Sequence, residues 1–284
     1  MSFILILGAT GTVGRQVASQ LAATGTKIRA LVRNPDAACL PAQIEVVRGD
    51  LRSPETLDES LNDVDAVFLV WTAPSEFVTP AIERIANKAR RVVYLSAPLK
   101  TAHPFFQQPS PARNLAEKVE RLIESSGLEW TFLRPGMFAA NALRWWAPQI
   151  RAGNVVRWPY LTAATAPIDE KDIAAVAVRA LCEDRHARAE YVLTGPQSLT
   201  QFEQLSAIGR VVGRPLSIEE MSPDEARREW LPIWPASVVS MLLDAWAASV
   251  GQPAFVTSKF EEITGSPPRT FFAWATDHAM EFQS

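Results

Sequence analysis

Phe3-Ile4-Leu5-Ile6-Leu7-Gly8-Ala9-Thr10-Gly11-Thr12-Val13-Gly14 is the stretch that decides how this chain folds. Its first five residues are apolar and read as a strand covered on both faces. Val13, Val17 and Leu21 then recur at helical spacing, so a helix follows at once. Gly8, Gly11 and Gly14 stand at the junction, where the backbone must turn tightly and come close to a bound group. The helix beyond offers unpaired N–H groups and its positive dipole end, which suits a pyrophosphate. A glycine pattern alone is a weak signal. Strand before and helix after supply the context of a dinucleotide-binding turn.

Outward from this unit, strand and helix signals alternate. Strands are expected at 27–32, 44–47, 66–71, 92–95 and 130–133, and helices at 54–61, 77–89 and 111–125, the last ending at Gly127. Such alternation implies parallel strands with right-handed crossovers, hence an α/β fold with a doubly wound sheet. Beyond Arg134-Pro135-Gly136 the regularity breaks. A helix with Trp145 and Trp146, a strand at 155–158, a helix from about 169 and a strand at 191–193 come next. The first of these helices and the strand at Tyr191 are expected to return to the sheet. A helix at 202–212, a strand at 216–220 and mostly helical sequence complete the chain. The expected division is a nucleotide-binding domain at 1–152, its sheet completed by parts of 153–195. A smaller, mostly helical substrate-side lobe at 196–284 follows.

Bulk composition narrows the function classes. The 284 residues are 48% hydrophobic, enough for a full core, and the net charge is −3 with no basic block. Nucleic acid is therefore not an expected partner, since phosphate binding needs clustered Lys and Arg. Two cysteines far apart, Cys39 and Cys182, read as reduced buried thiols. His186 and His278 stand alone, so no metal site is expected. The opening apolar run is too short for a signal-peptide core and no stretch is long enough to span a bilayer. A cytoplasmic protein without a membrane partner is expected, with oligomerisation open.

The second strand points to the cofactor. NAD-binding sheets of this type usually end that strand with an acid that takes the ribose hydroxyls. Here it ends Ala30-Leu31-Val32-Arg33-Asn34. Arg33 suits a 2′-phosphate, so NADPH is expected over NADH; the alternative is an ordinary solvated charge. Asp50, followed by Leu51, stands where it can accept from the adenine amine or else serve as a turn residue.

Together these residues resemble the NmrA-like branch of the atypical short-chain dehydrogenase/reductases, including reductases of ergot-alkaloid type. The resemblance runs through Gly8 to Gly14, Arg29 to Arg33, Gly49-Asp50-Leu51, Leu95-Ser96-Ala97, Ser126-Gly127-Leu128 and Leu133 to Phe138. Asp172-Ile173-Ala174 and Thr264-Gly265-Ser266-Pro267-Pro268-Arg269-Thr270-Phe271 extend it to nearly the whole chain. It implies an NAD(P)-binding Rossmann domain, with the cofactor held by Gly8, Thr10, Gly11, Thr12, Val13 and Gly14. The nicotinamide would lie near Trp71, Thr72, Ala73, Ser96 and Pro135, with substrate against Met137 and Phe138.

One departure matters as much. The wider superfamily places a Tyr-x-x-x-Lys pair after the fifth strand, with Tyr as the acid. A gapless match puts Ala112 and Ala116 there; a two-residue shift gives Asn114 and Lys118, recovering only the lysine. Of three tyrosines, Tyr94 and Tyr191 read as strand residues. The candidates left for chemistry are Ser96, Lys118 and His103, with Asn141, Trp158 and Tyr160 as further substrate contacts. Trp145, Trp146, Trp158, Trp230, Trp234 and Trp246 fall in the second half, where they either line a flat pocket or pack a core. Asp169 and Asp172 read as helix caps.

The expected activity is hydride transfer from NADPH to a small aromatic or unsaturated acceptor, an iminium, quinone or activated C=C, that needs little proton assistance. The alternative is an NADP(H)-binding sensor that acts through a protein partner without turnover. An epimerase or dehydratase would need an acid/base pair that the sequence lacks.

Overall fold

A computed structural model describes residues 3–283. In chain order the elements begin β1 (Phe3–Leu7), α1 (Thr12–Ala23), β2 (Ile28–Val32), β3 (Glu45–Arg48), α2 (Leu57–Ser60), β4 (Val64–Leu69) and α3 (Val78–Lys88). Then come β5 (Arg91–Leu95), α4 (Pro111–Ser125), β6 (Glu129–Pro135), α5 (Asn141–Trp145), α6 (Ala147–Ala152), β7 (Val155–Trp158) and β8 (Ala164–Thr165). The chain continues with α7 (Glu170–Cys182), β9 (Ala189–Leu193), β10 (Leu199–Thr200), α8 (Gln201–Val211) and β11 (Ser217–Glu220). It closes with α9 (Pro223–Trp230), α10 (Ala236–Ser249), α11 (Lys259–Thr264) and α12 (Phe271–Asp277).

Two compact units interleave along the chain: one from 1–97, 114–135 and 170–191, the other from 98–113, 136–169 and 192 onward. The first carries the seven-stranded sheet, in the order β3-β2-β1-β4-β5-β6-β9. β1 sits between β2 and β4, with Ile4 beside Ile28 and Ala66, and all three run parallel. Strand order reverses at that point, so the crevice beyond the end of β1 is the natural place for a ligand. Leu5, Leu7, Val67, Leu69 and Val92 pack on one face against Leu57, Ile82, Ile85, Val119 and Ile123 of α2, α3 and α4. Side chains alternate along a strand, so Ile4 and Ile6 face the other way. There α1 and α7 pack together through Val17, Leu21, Ile173 and Val176, all buried, and Gln20 Nε2 donates to the Lys171 carbonyl at 2.9 Å. Each such side chain contributes about 1.5–3 kcal/mol of burial.

The second unit is built on tryptophan. Trp146, Trp158, Trp230, Trp246 and Trp274 are buried in one cluster, with Trp145 and Trp234 packed against it. Trp158 lies 4.7 Å from Trp230 and 5.5 Å from Trp246, ring centre to ring centre. These rings form a core. Short ladders join β7 to β11 and β8 to β10. α8 and α9 both open with capping boxes, Thr200 with Glu203 and Ser222 with Glu225. Arg269, from the Thr264–Phe271 motif, donates to the buried Asp169 at 2.6 Å and to Asp277. That motif thus ties two segments of the unit together.

Three expectations change. The helix carrying Trp145 belongs to the second unit; α7 is the one that packs on α1, because its Ile173, Val176 and Ala177 supply the apolar face. β4 ends at Leu69, which leaves Trp71 on the following loop. Cys39 and Cys182 are free thiols as expected of lone cysteines, but both are exposed rather than buried.

Candidate functional site

The glycine turn of the first unit has the geometry of a cradle. Gly8 takes φ +96°, a conformation that disfavours any side chain. A Cβ on Gly14 would stand 2.1 Å from the Gly8 carbonyl oxygen, so α1 rests directly on the turn. Gly11 is the N-cap of α1, makes no side-chain cap, and no acid occupies the first turn. The leading N–H groups and the positive end of α1 are left for an anion. Thr10, Gly11 and Thr12 are exposed there, while Val13 turns into the core. The turn fits a pyrophosphate.

The loops after β2, β4 and β5 emerge at the same edge, since neighbouring parallel strands lie about 4.8 Å apart. Arg33 follows β2 and is exposed. Asp50 closes its own turn by accepting from the Arg52 N–H at 3.0 Å, and Leu51 is buried beside it. After β4, Trp71 Nε1 donates to the Ala73 carbonyl at 2.6 Å, which curls the loop and leaves Thr72 exposed. Pro135 is buried at the end of β6.

Ser96, just after β5, is the anchor of a polar chain. Its Oγ donates to Glu120 Oε1 at 2.6 Å. Glu120 is 4% exposed and Arg134 is 1% exposed. Arg134 Nε donates to Glu120 Oε1 at 2.9 Å and a second guanidinium nitrogen to Oε2 at 2.6 Å. Arg134 also pairs with Glu190. Neither Glu120 nor this use of Arg134 follows from motif reading. A signal exists all the same: Glu120 shares the buried face of α4 with Ala116 and Ile123, where a carboxylate needs a cation.

Lys118 donates from Nζ to the Ser75 carbonyl at 2.8 Å and so ties α4 to the loop after β4. Ala112 and Asn114, at the two registers for the missing tyrosine, are exposed. Tyr94 is buried within β5, where burial first and the Glu120 charge second push its hydroxyl above the ordinary tyrosine range. Tyr191 on β9 bonds to His186 Nδ1 at 2.8 Å. Tyr94 and Tyr191 are thus both held within strands, and Tyr94 near the C-terminal end of β5 is only 3% exposed.

In the second unit, a shallow recess is lined by His103, Phe105, Phe106, Met137, Ala164, Thr165, Ala166, Thr194, Ala254 and Phe255. Of the residues singled out from sequence, His103 and Met137 meet there. Asn141 holds Met137 by donating to its sulfur at 3.0 Å, and Phe138 forms a bridge to Ile168. Trp158 is 1% exposed with Nε1 bonded to Gln201, and Tyr160 packs against the tryptophan core. His103 Nδ1 accepts from the Phe105 N–H at 3.3 Å, and Nε2 lies 3.1 Å from the Pro253 carbonyl. Nε2 must donate there, so both ring nitrogens are engaged. Arg113 clamps the same segment by bonding the Leu99 and Phe106 carbonyls.

Comparison with known proteins gives a consistent picture. A family model described as NAD(P)H-binding matches residues 8–184. The (4-alkanoyl-5-oxo-2,5-dihydrofuran-3-yl)methyl phosphate reductase of Streptomyces griseus is 39% identical over 98% of this chain and 99% of its own. The NAD(P)H azoreductase of Xenophilus azovorans is 32% identical over 98% of this chain and 99% of its own. In fold, the chain matches the NADPH complex of the quinone oxidoreductase QOR2 of Escherichia coli with a TM-score of 0.80. That match has 24% identity and covers 98% of this chain and 99% of that one.

Proposed function

Because the chain belongs to the NAD(P)H-binding family and is related over 98% of its length to two reductases, we propose that it is an NADPH-dependent reductase of small cyclic substrates whose C=C bond is conjugated to carbonyl groups. The observation that carries this reading is a well-formed nucleotide cradle in a unit whose described tyrosines, Tyr94 and Tyr191, are held within strands. Reducing a simple ketone creates an alkoxide that needs a proton as it forms, and a positioned acid is worth about 10²–10⁴-fold. An alkene flanked by carbonyls has a different demand. A hydride adds at the ring carbon β to the carbonyls, the π pair moves onto their oxygens as an enolate, and water returns a proton to the α carbon. Placement then does most of the work.

Bound NADPH supplies the hydride. The Gly8–Gly14 turn would hold it, with Arg33 at the 2′-phosphate, the 71–73 loop and Ser96 toward the nicotinamide end, and Asp50 toward the adenine. Met137, Phe138 and the apolar recess beside His103 receive the substrate. Its lining of Phe105, Phe106 and Phe255 favours a flat, apolar ring. The streptomycete relative supports the class, since its name specifies an oxo-dihydrofuran ring bearing an alkanoyl group. Two full-length relatives named as reductases favour turnover over a non-catalytic sensor.

Calorimetric titration tests the cofactor half. NADPH should bind more tightly than NADH, and Arg33→Glu should remove that preference by about tenfold to a hundredfold, the worth of a charge-assisted contact. Equal affinities in the unaltered protein would overturn it. Anaerobic nicotinamide absorbance with 2-acylbutenolides, quinones and cyclic iminium compounds tests the substrate half. The acylbutenolide should be reduced fastest; tight NADPH binding with no turnover on any of them would favour the sensor.

A further inference from the structure

We propose that Ser96 serves the cofactor as a hydrogen-bond acceptor, and that Glu120, held by Arg134, is the positioning residue that makes it one. This rests on the placement of the nicotinamide end beside Ser96 given above. A serine hydroxyl has one proton and two lone pairs. Here the proton is committed: Ser96 Oγ lies 2.6 Å from Glu120 Oε1, an oxygen that also accepts from Arg134 Nε at 2.9 Å. Glu120 Oε2 accepts a second guanidinium nitrogen at 2.6 Å. Both partners are buried, so the carboxylate keeps its charge and its place.

The rest of Ser96 is fixed as well, because its backbone N–H donates to the Leu133 carbonyl at 2.8 Å. Turning the hydroxyl toward a ligand would take a charge-assisted bond from a buried carboxylate, and such bonds are about twice as strong as neutral ones. What Ser96 presents outward is therefore lone pairs. A substrate carbonyl or enolate oxygen has no proton to give them. The nicotinamide end of the cofactor has two kinds of donor, the carboxamide amine and the ribose hydroxyls. Ser96 in this reading sets the register of the nicotinamide and leaves the substrate oxygen to solvent, which suits an acceptor that needs no acid.

Equilibrium binding of NADP⁺ and of its 3-acetylpyridine analogue, which has a methyl group where the amine was, tests the proposal. Ser96→Ala should weaken NADP⁺ binding about fivefold, and Ser96→Thr, which keeps the hydroxyl, should retain it. Loss with NADP⁺ but not with the analogue identifies the carboxamide as donor; equal loss with both identifies a ribose hydroxyl. Glu120→Gln should weaken NADP⁺ in the unaltered protein and add nothing to Ser96→Ala, a pattern that a purely structural role would not give. Should Glu120→Gln fail to fold, the Ser96 series with the two nucleotides still decides. Unchanged NADP⁺ affinity in Ser96→Ala with a lower kcat would make Ser96 a donor to substrate and overturn the proposal. Unchanged affinity and unchanged kcat would overturn it by removing the nicotinamide from Ser96. No NADP⁺ binding by the unaltered protein would instead sink the proposed function.

Discussion

Two buried arginines stand at opposite ends of one sheet and are used differently. Arg91 opens β5 and Arg134 stands near the end of β6, each 1% exposed. Arg91 donates to the Ala180, Leu181 and Glu183 carbonyls at the C-terminal end of α7, where the helix dipole is negative. Its carboxylate partners, Glu129 and Asp184, lie toward solvent. Arg134 instead neutralises Glu120, a buried carboxylate that fixes Ser96. The same residue type thus secures a helix end at the N-terminal edge and, in the proposal above, prepares a ligand contact at the C-terminal edge, where sheets of this kind bind.

Breaking the Arg134 end should have the largest effect. Arg134→Met leaves Glu120 buried without its cation, and removal of one partner of such a pair costs about 3–5 kcal/mol. Urea unfolding should show that loss, and NADPH affinity should fall with it. Replacing the pair together, as Arg134→Met with Glu120→Leu, should return most of the stability but not the affinity. Recovery of both would break the distinction between the two ends.

Arg91→Ala should cost less, about 1–3 kcal/mol of stability, with NADPH affinity per folded molecule unchanged. An equal fall in affinity would mean that the two ends are not separate in function.

The smallest effect concerns pH. Hydrogen bonds from Arg91 hold the carboxyls of Glu129 and Asp184 below the usual carboxylate range, with Arg90 adding to this. A depressed folded value means that the stabilisation is complete above the unfolded carboxylate value of about 4 and is lost as pH falls through the lower folded ones. Melting temperature should therefore decline on acidification in that range, and Arg91→Ala should flatten the decline. Parallel slopes would show that other carboxylates dominate.

Much of this was legible from residue order. Phe3–Leu7, the Gly8–Gly14 turn and the 111–125 helix are local patterns, and each appears where spacing puts it. The Ser96–Glu120–Arg134 chain was not legible, because it depends on how α4 lies against β5 and β6, which no single stretch encodes. The tryptophans were ambiguous for a related reason: ring content says that area will be buried, not whether a ligand or another ring covers it. Met137 and His103, which line one recess, stood out in the sequence as motif and loop residues. Their neighbours Phe105, Thr194 and Phe255 come from three distant segments of the second unit and carry no mark of their own. The interleaving of the two units has the same origin, since 98–113 and 136–169 leave the sheet and return.

The most direct test of the proposed reaction is transfer from NADPH deuterated at the transferring position of nicotinamide C4 to a 2-acylbutenolide under anaerobic conditions, followed by mass spectrometry and NMR of the product. Deuterium at the ring carbon β to the carbonyls, with a solvent proton at the α carbon, is the predicted result. Saturated product without deuterium at the β carbon, or NADPH that binds tightly and is never consumed, would contradict it.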